Sequence, residues 1–227
     1  GGHGPAPDEW WATTRRTGSI GYGTSSTLLQ MANAYAALAN GGVVVDPVLV
    51  RGTVGGDGTL EATAAPAERR VVSEVTAAQV IDMLGQAMDG DGATGTRARI
   101  PGYRIGGKTG TAIKVSASGG YAEGEYVSTF VGVAPLEDPR IVVAVMVDDP
   151  QGDYYGGLVA APAFREVMHA SLLARRIVPD SEGQPLAQVV EATRDAAAEY
   201  EAMRAAALAV ERAAAEQAAA ERDTAGD

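Results

Sequence analysis

Two apolar runs, VSTFVGVA (127–134) and RIVVAVMVD (140–148), stand five residues apart. Their valines, isoleucine and threonine suit a pleated, half-buried surface. The connection PLEDP is short enough for an antiparallel hairpin. That pair is the strongest constraint on the fold. A third strand-like run, 103–115, precedes it. The intervening SASGGYAEGE (116–125) predicts a longer flexible loop bordering that strand, placed to gate a cleft or to act as filler.

Helical segments flank these runs. Thr27 and Gln30 form a T-x-x-Q capping box. Leu28, Met31, Ala32, Tyr35, Leu38 and Ala39 then fall at helical spacing, and Asn40-Gly41-Gly42 ends the run. A second helix starts after Ser73, a good N-cap, with Ala77, Val80, Ile81, Leu84, Ala87 and Met88 on its apolar face. A third lies within 154–176, with Pro162 near its start and Leu158, Phe164, Val167, Met168 and Leu172 on one face. VVVDPVLVRGTV (43–54) predicts a strand pair or a bent strand, limited by Pro47 to an edge or a turn. Residues 1–26 are poor in periodicity and predict a loop, with Trp10-Trp11 anchoring it to the body rather than stacking on sugar.

Beyond Pro179 the composition shifts to Ala, Glu and Arg, all strong helix formers. Residues 179–227 therefore predict an Ala-rich helical or disordered tail, and residues 1–178 the folded body. The net charge of −11 is concentrated in that tail, which carries 11 acidic and 4 basic residues from Asp180 onward. An acidic balance argues against nucleic acid and anionic membrane as general partners. No cysteine is present, which excludes disulfides, thiolate nucleophiles and Cys-based zinc sites. No cofactor is implied. His3 and His169 have no ligand spacing. Asp148 and Asp149 are adjacent on a strand and point to opposite faces, which disfavours a carboxylate pair or metal site.

The chain has two lysines, and Lys108 lies in PGYRIGGKTGTAIK (101–114). Gly102 followed by Gly107-Lys108-Thr109 satisfies the phosphate-binding pattern G-x-x-x-x-G-K-[ST]. That motif needs a buried strand before it and a helix after its lysine. TGTRARIP before Gly102 is polar, and GTAIKVSASGG after Thr109 starts no helix. A strand suits this segment better. On a regular strand Lys108 and Gly110 face one side, and Thr109 and Thr111 the other. A lysine and nearby hydroxyls beside a cleft suit a carboxylate. The amide of an edge strand suits a bound peptide or a developing oxyanion.

GGKTGTA (106–112) resembles the third motif of penicillin-binding proteins, the serine D,D-transpeptidases of bacterial cell-wall synthesis. Its neighbours resemble the same family in order. GYGTSSTLLQMANAYAALANGGVVVDPVLV (21–50) is similar to the helix segment between the second and third motifs. ATGTRARIPGYRIGGKTGTA (93–112) is similar to the approach to the third. STFVGVAPLEDPRIVVAVMVDDP (128–150) and YYGGLVAAPAFREVM (154–168) resemble the two following strands and the closing helix. The likeness covers about residues 5–176. Ala112 after K-T-G-T resembles the monofunctional class B enzymes of division or elongation type.

The resemblance implies an α+β fold, an antiparallel sheet flanked by helices, incomplete at its N-terminal side. It implies that Lys108, Thr109, Gly110 and Thr111 bind the carboxylate of a D-Ala-D-Ala stem peptide or a β-lactam. The Thr111 backbone N–H would be half of the oxyanion hole. Other cell-wall synthesis proteins are implied as partners, with the parent protein on the extracytoplasmic face of the membrane, held by an N-terminal anchor outside this chain. The family's S-x-x-K nucleophile motif and S-x-N motif do not occur at any of the nine serines. Thr111-Ala112-Ile113-Lys114 has comparable spacing but lies within the K-T-G strand. Leu28 stands where the family often has proline, with Thr27 still available as cap. The expectation is the C-terminal half of a transpeptidase domain, without its nucleophile and exposing apolar sheet surface. The alternatives are a non-catalytic peptide- or β-lactam-binding module acting with another chain and, least favoured, a nucleotide-binding protein.

Overall fold

The computed structural model describes residues 2–179, apart from 3, 5, 7, 9, 12, 13, 90–92 and 117–119. The expectations for the tail and for His3 lie outside the described residues. The elements run α1 (Thr14–Gly18), α2 (Leu28–Ala39), β1 (Val43–Val45), β2 (Gly52–Val54), β3 (Leu60–Ala62), β4 (Glu68–Arg70), α3 (Glu74–Gln86), a 3-10 turn (Thr96–Ala98), β5 (Gly106–Val115), β6 (Tyr121–Ala134), β7 (Ile141–Asp148) and α4 (Gly156–Ala174).

β5, β6 and β7 form an antiparallel sheet in that order, with β5 at one edge. Together with its flanking helices this is an α+β arrangement. Helix α4 packs on one face, called the back. On the opposite, front face α2 lies against β6 and β7, and α3 against β5. The back face is a dry core. Phe130 of β6 and Phe164 of α4 are fully buried, with ring centroids 4.6 Å apart. Val143, Ala160, Ala161, Met168 and Leu172 close around them. Each large side chain buried here contributes about 1.5–3 kcal/mol.

Glycine makes this contact possible. A Cβ on Gly132 would lie 2.8 Å from the Phe164 ring, and one on Gly107 would lie 2.7 Å from that of Phe130. The strand glycines at 106 and 107 therefore mark close packing of core side chains. The nearest neighbour of a Cβ on Gly106 would be Leu136.

Both expected helix starts are present. The Thr27 side chain accepts from the Gln30 N–H, and the Gln30 side chain accepts from the Thr27 N–H. The Ser73 hydroxyl accepts from Thr76 N–H. Leu28, in place of proline, leaves the Thr27 cap intact.

Several expectations are corrected. β6 begins at Tyr121, so all of 121–125 is strand rather than loop, and Ser116 N–H bonds Gly120 C=O. Gly124 and Glu125, both exposed, interrupt the apolar alternation and hide the strand. β1 and β2 do not pair with each other. β1 pairs with β4, and β2 with β3. β4 reads Glu-Arg-Arg and is wholly exposed, so it has no apolar alternation to betray it. Residues 14–18 are a short helix inside the expected N-terminal loop. Trp10 is 52% exposed and Trp11 80%, so Trp11 does not anchor this segment to the body. Pro162 is inside α4 rather than near its start. Val167 on the same helix is 49% exposed, while Phe164, Met168 and Leu172 are buried.

Candidate active site

The segment Gly107-Lys108-Thr109 sits within β5, and a strand follows its lysine where a phosphate loop needs a helix. Gly102, the first glycine of that pattern, has φ 81° and turns the chain between the bridged residues Ile100 and Tyr103. The register puts Lys108 opposite Val131 and Gly110 opposite Thr129 on the front. Thr109 opposite Phe130 and Thr111 opposite Ser128 lie on the back.

Two clefts meet at this edge. The front cleft, about 190 Å³, is lined by Ser26, Thr27, Leu28, Met31, Lys108 and Met146, among others. The second, about 350 Å³, opens between the 3-10 turn and the start of α4, with Thr94, Arg97, Thr111 and Gly156 in its wall. Thr109 lines both. The Lys108 ammonium lies 3.3 Å from both the Thr109 carbonyl and its Oγ1. Thr109 Oγ1 donates to Thr94 Oγ1 at 3.1 Å.

Thr111 performs a structural task. Its Oγ1 accepts the Gly156 N–H at 3.0 Å, at the first residue of α4. Tyr155, the N-cap, supplies no side-chain bond of its own. An amide of the first turn would otherwise lack a partner, so Thr111 caps α4 from across the site. Because that oxygen accepts, its own proton stays available to a ligand. Gly156 is required by the closeness of the two elements. A Cβ there would run into the Gly110 carbonyl and lie 2.5 Å from the Thr129 carbonyl.

Sequence reasoning missed an aromatic group beside this edge. Tyr126 of β6 and Tyr154 stack with centroids 4.0 Å apart and planes 12° apart. Tyr154 and Tyr155 follow at 4.5 Å, with their hydroxyls 3.3 Å apart. That hydroxyl contact is the first cause raising the Tyr154 pKa above its usual 10.0. The buried Ser128 hydroxyl donates to the Tyr154 carbonyl and fixes the loop. The doublet YYGG is the only local signal, and it shows nothing of Tyr126.

The other candidates are placed elsewhere. Lys114 is 3.0 Å from Asp148 and 3.9 Å from Glu125, tying together β5, β6 and β7. Lys114 is committed to that cluster and not to Thr111, so T-A-I-K forms no nucleophile pair. Asp149 lies beyond β7 with φ 52°. His169 is half-buried on α4. Among the described residues no group of His, Cys, Asp and Glu side chains is arranged to hold a metal.

The model of the penicillin-binding protein transpeptidase domain matches residues 2–169. The chain belongs to the penicillin-binding protein transpeptidase family. Within it, the chain is similar to class B proteins. It is 40% identical to penicillin-binding protein PbpB of Mycolicibacterium smegmatis over 80% of this chain and 30% of that protein. It is 37% identical to peptidoglycan D,D-transpeptidase FtsI of Escherichia coli, over 78% of this chain and 28% of the other. Penicillin-binding protein 3 of Mycobacterium tuberculosis, solved with ampicillin, matches with TM-score 0.72 and 34% identity over 81% of this chain and 42% of that one. The apo transpeptidase domain of Burkholderia pseudomallei penicillin-binding protein 3 matches with TM-score 0.67 and 35% identity, over 80% and 52%. The chain thus spans less than a third of the length of these curated relatives.

Proposed function

We propose that this chain supplies the substrate-binding half of a serine D,D-transpeptidase acting in peptidoglycan cross-linking. The observation that carries the proposal is the convergence of Lys108, Thr109, Gly110 and Thr111 on one sheet edge, between two clefts. In that reaction a serine attacks the D-Ala-D-Ala peptide, the terminal D-Ala leaves, and an amine of a neighbouring strand takes the acyl group. Here the Thr111 hydroxyl donates to the terminal carboxylate, and the Thr109 hydroxyl does so by turning its proton away from Thr94. Lys108 adds positive charge, and the Thr111 backbone N–H faces the developing oxyanion. A β-lactam uses the same contacts. The serine comes from an S-x-x-K segment, which does not occur in these 227 residues. The reaction belongs to the extracytoplasmic face of the membrane. Among the described residues, no helix is long and apolar enough to cross one.

Labelled penicillin tests this reading. The chain alone is expected to give no adduct that survives a denaturing gel. Co-expression with a segment carrying S-x-x-K and S-x-N is expected to create one, and Lys108→Ala to abolish it. A stable adduct on the chain alone overturns the assignment of the nucleophile to another segment.

A second reading is a non-catalytic module that binds peptide or β-lactam beside another chain. It predicts reversible binding with no adduct even when the upstream segment is supplied.

A further inference from the structure

The second cleft contains a cation with no bond to any described residue. Arg97 lines it with Thr94, Thr109, Thr111 and the first residues of α4. No Asp or Glu is among the described residues that line it. Its backbone is well anchored. The 3-10 turn carrying Arg97 is held by Ala98, which is fully buried in the core around Phe130 and Phe164. The side chain is exposed. The nearby Arg99 is committed, donating to the Met88 carbonyl and pairing with Asp89 at 3.8 Å. Among the described residues, Arg97 makes no hydrogen bond or ion pair.

The two cations near the K-T-G edge are therefore divided between its two sides. Lys108 lines the front cleft and stays within 3.3 Å of the Thr109 carbonyl and hydroxyl. Arg97 shares the second cleft with the hydroxyls of Thr109 and Thr111. A guanidinium matches a carboxylate with two parallel N–H bonds, a geometry that an ammonium cannot reproduce. A guanidinium that shares a cleft with four threonine hydroxyls, with no carboxylate among the described lining residues, suits a ligand with one terminal carboxylate.

We propose that Arg97 is a specificity-determining residue of this site, pairing with the terminal carboxylate of the donor peptide while the Thr109 and Thr111 hydroxyls orient it. This rests on the peptide-binding function proposed above and adds to it. Lys108 then serves the front cleft, and carboxylate selection falls to a residue outside the K-T-G motif.

The experiment compares N-acetyl-D-Ala-D-Ala with its C-terminal amide, titrated into this chain and followed by NMR or calorimetry. The unsubstituted chain is expected to prefer the acid. Arg97→Gln is expected to weaken acid binding about fivefold to tenfold, the effect of losing a charge-assisted bond at a partly exposed site. Amide binding should stay unchanged, and the salt dependence of acid binding should flatten. Arg97→Lys should recover part of the preference. The side chain is exposed and unbonded, so the melting temperature should not move. If Arg97→Gln keeps the full acid preference while Thr109→Val with Thr111→Val loses it, the role of Arg97 is overturned and the peptide site stands. If the unsubstituted chain binds neither ligand, the peptide-site reading fails, and the role of Arg97 fails with it.

Discussion

The two faces of the β5-β6-β7 sheet are built differently. On the back, α4 follows β7 directly and closes a core in which Phe130, Phe164, Met168 and Leu172 are fully buried. On the front, α2 and α3 cover the sheet only in part. Leu28 is 36% exposed, Met31 38% and Met146 50%, all three lining the cleft beside Lys108. One helix delivered by a short connection completes the back. The front needs contacts from further away and leaves a cleft. The residues proposed to bind the ligand sit where the more closed face meets the more open one.

Substitutions across the sheet test that contrast. Phe164→Ala empties the centre of the back core and is expected to cost about 3–5 kcal/mol in urea unfolding. Gly156→Ala forces a methyl onto the Gly110 and Thr129 carbonyls, and backbone cannot yield as a side chain can. A loss of about 1–3 kcal/mol is expected, with a changed NMR shift for the Thr111 amide. Thr27→Ala removes the α2 cap beside the front cleft, a loss of about 1 kcal/mol. Met146→Ala, on the front, should cost less than about 1 kcal/mol, because the side chain is already half in water. A Met146 cost as large as that of Phe164 would show the two faces to be equally closed and break the comparison.

The smallest effect concerns Lys114 at the far end of the sheet. Its pKa is raised above the ordinary 10.5, first by its hydrogen bond to Asp148. A raised lysine pKa contributes stability that is complete below the ordinary value and lost as pH climbs through the raised one. The melting-temperature gap between the unsubstituted chain and Lys114→Met should therefore be small and constant from neutral pH to about pH 9, closing above about 10.5. A gap that widens with rising alkalinity contradicts the pairing.

Much of this was legible locally. The hairpin of β6 and β7 follows from two β-branched runs and a short connection. The caps at Thr27 and Ser73 follow from side chains that satisfy amides three residues away. β4 and the start of β6 were not legible, since Glu68, Arg69 and Arg70 are all exposed and Gly124 and Glu125 interrupt the apolar alternation. Trp11 belongs to a doublet whose pattern suits burial equally well, and only the folded chain shows that this ring stays in water.

The site divides the same way. That Lys108 and Thr109 lie on a strand, with their side chains on opposite faces, was settled by the glycines and hydroxyls around them, because strand geometry is a property of neighbouring residues. The capping of α4 by Thr111, the stack of Tyr126 on Tyr154 and the position of Arg97 beside Thr109 and Thr111 were settled by the tertiary structure. Each joins residues at least a dozen positions apart, whose meeting depends on how helices and strands pack and on no local preference of either partner.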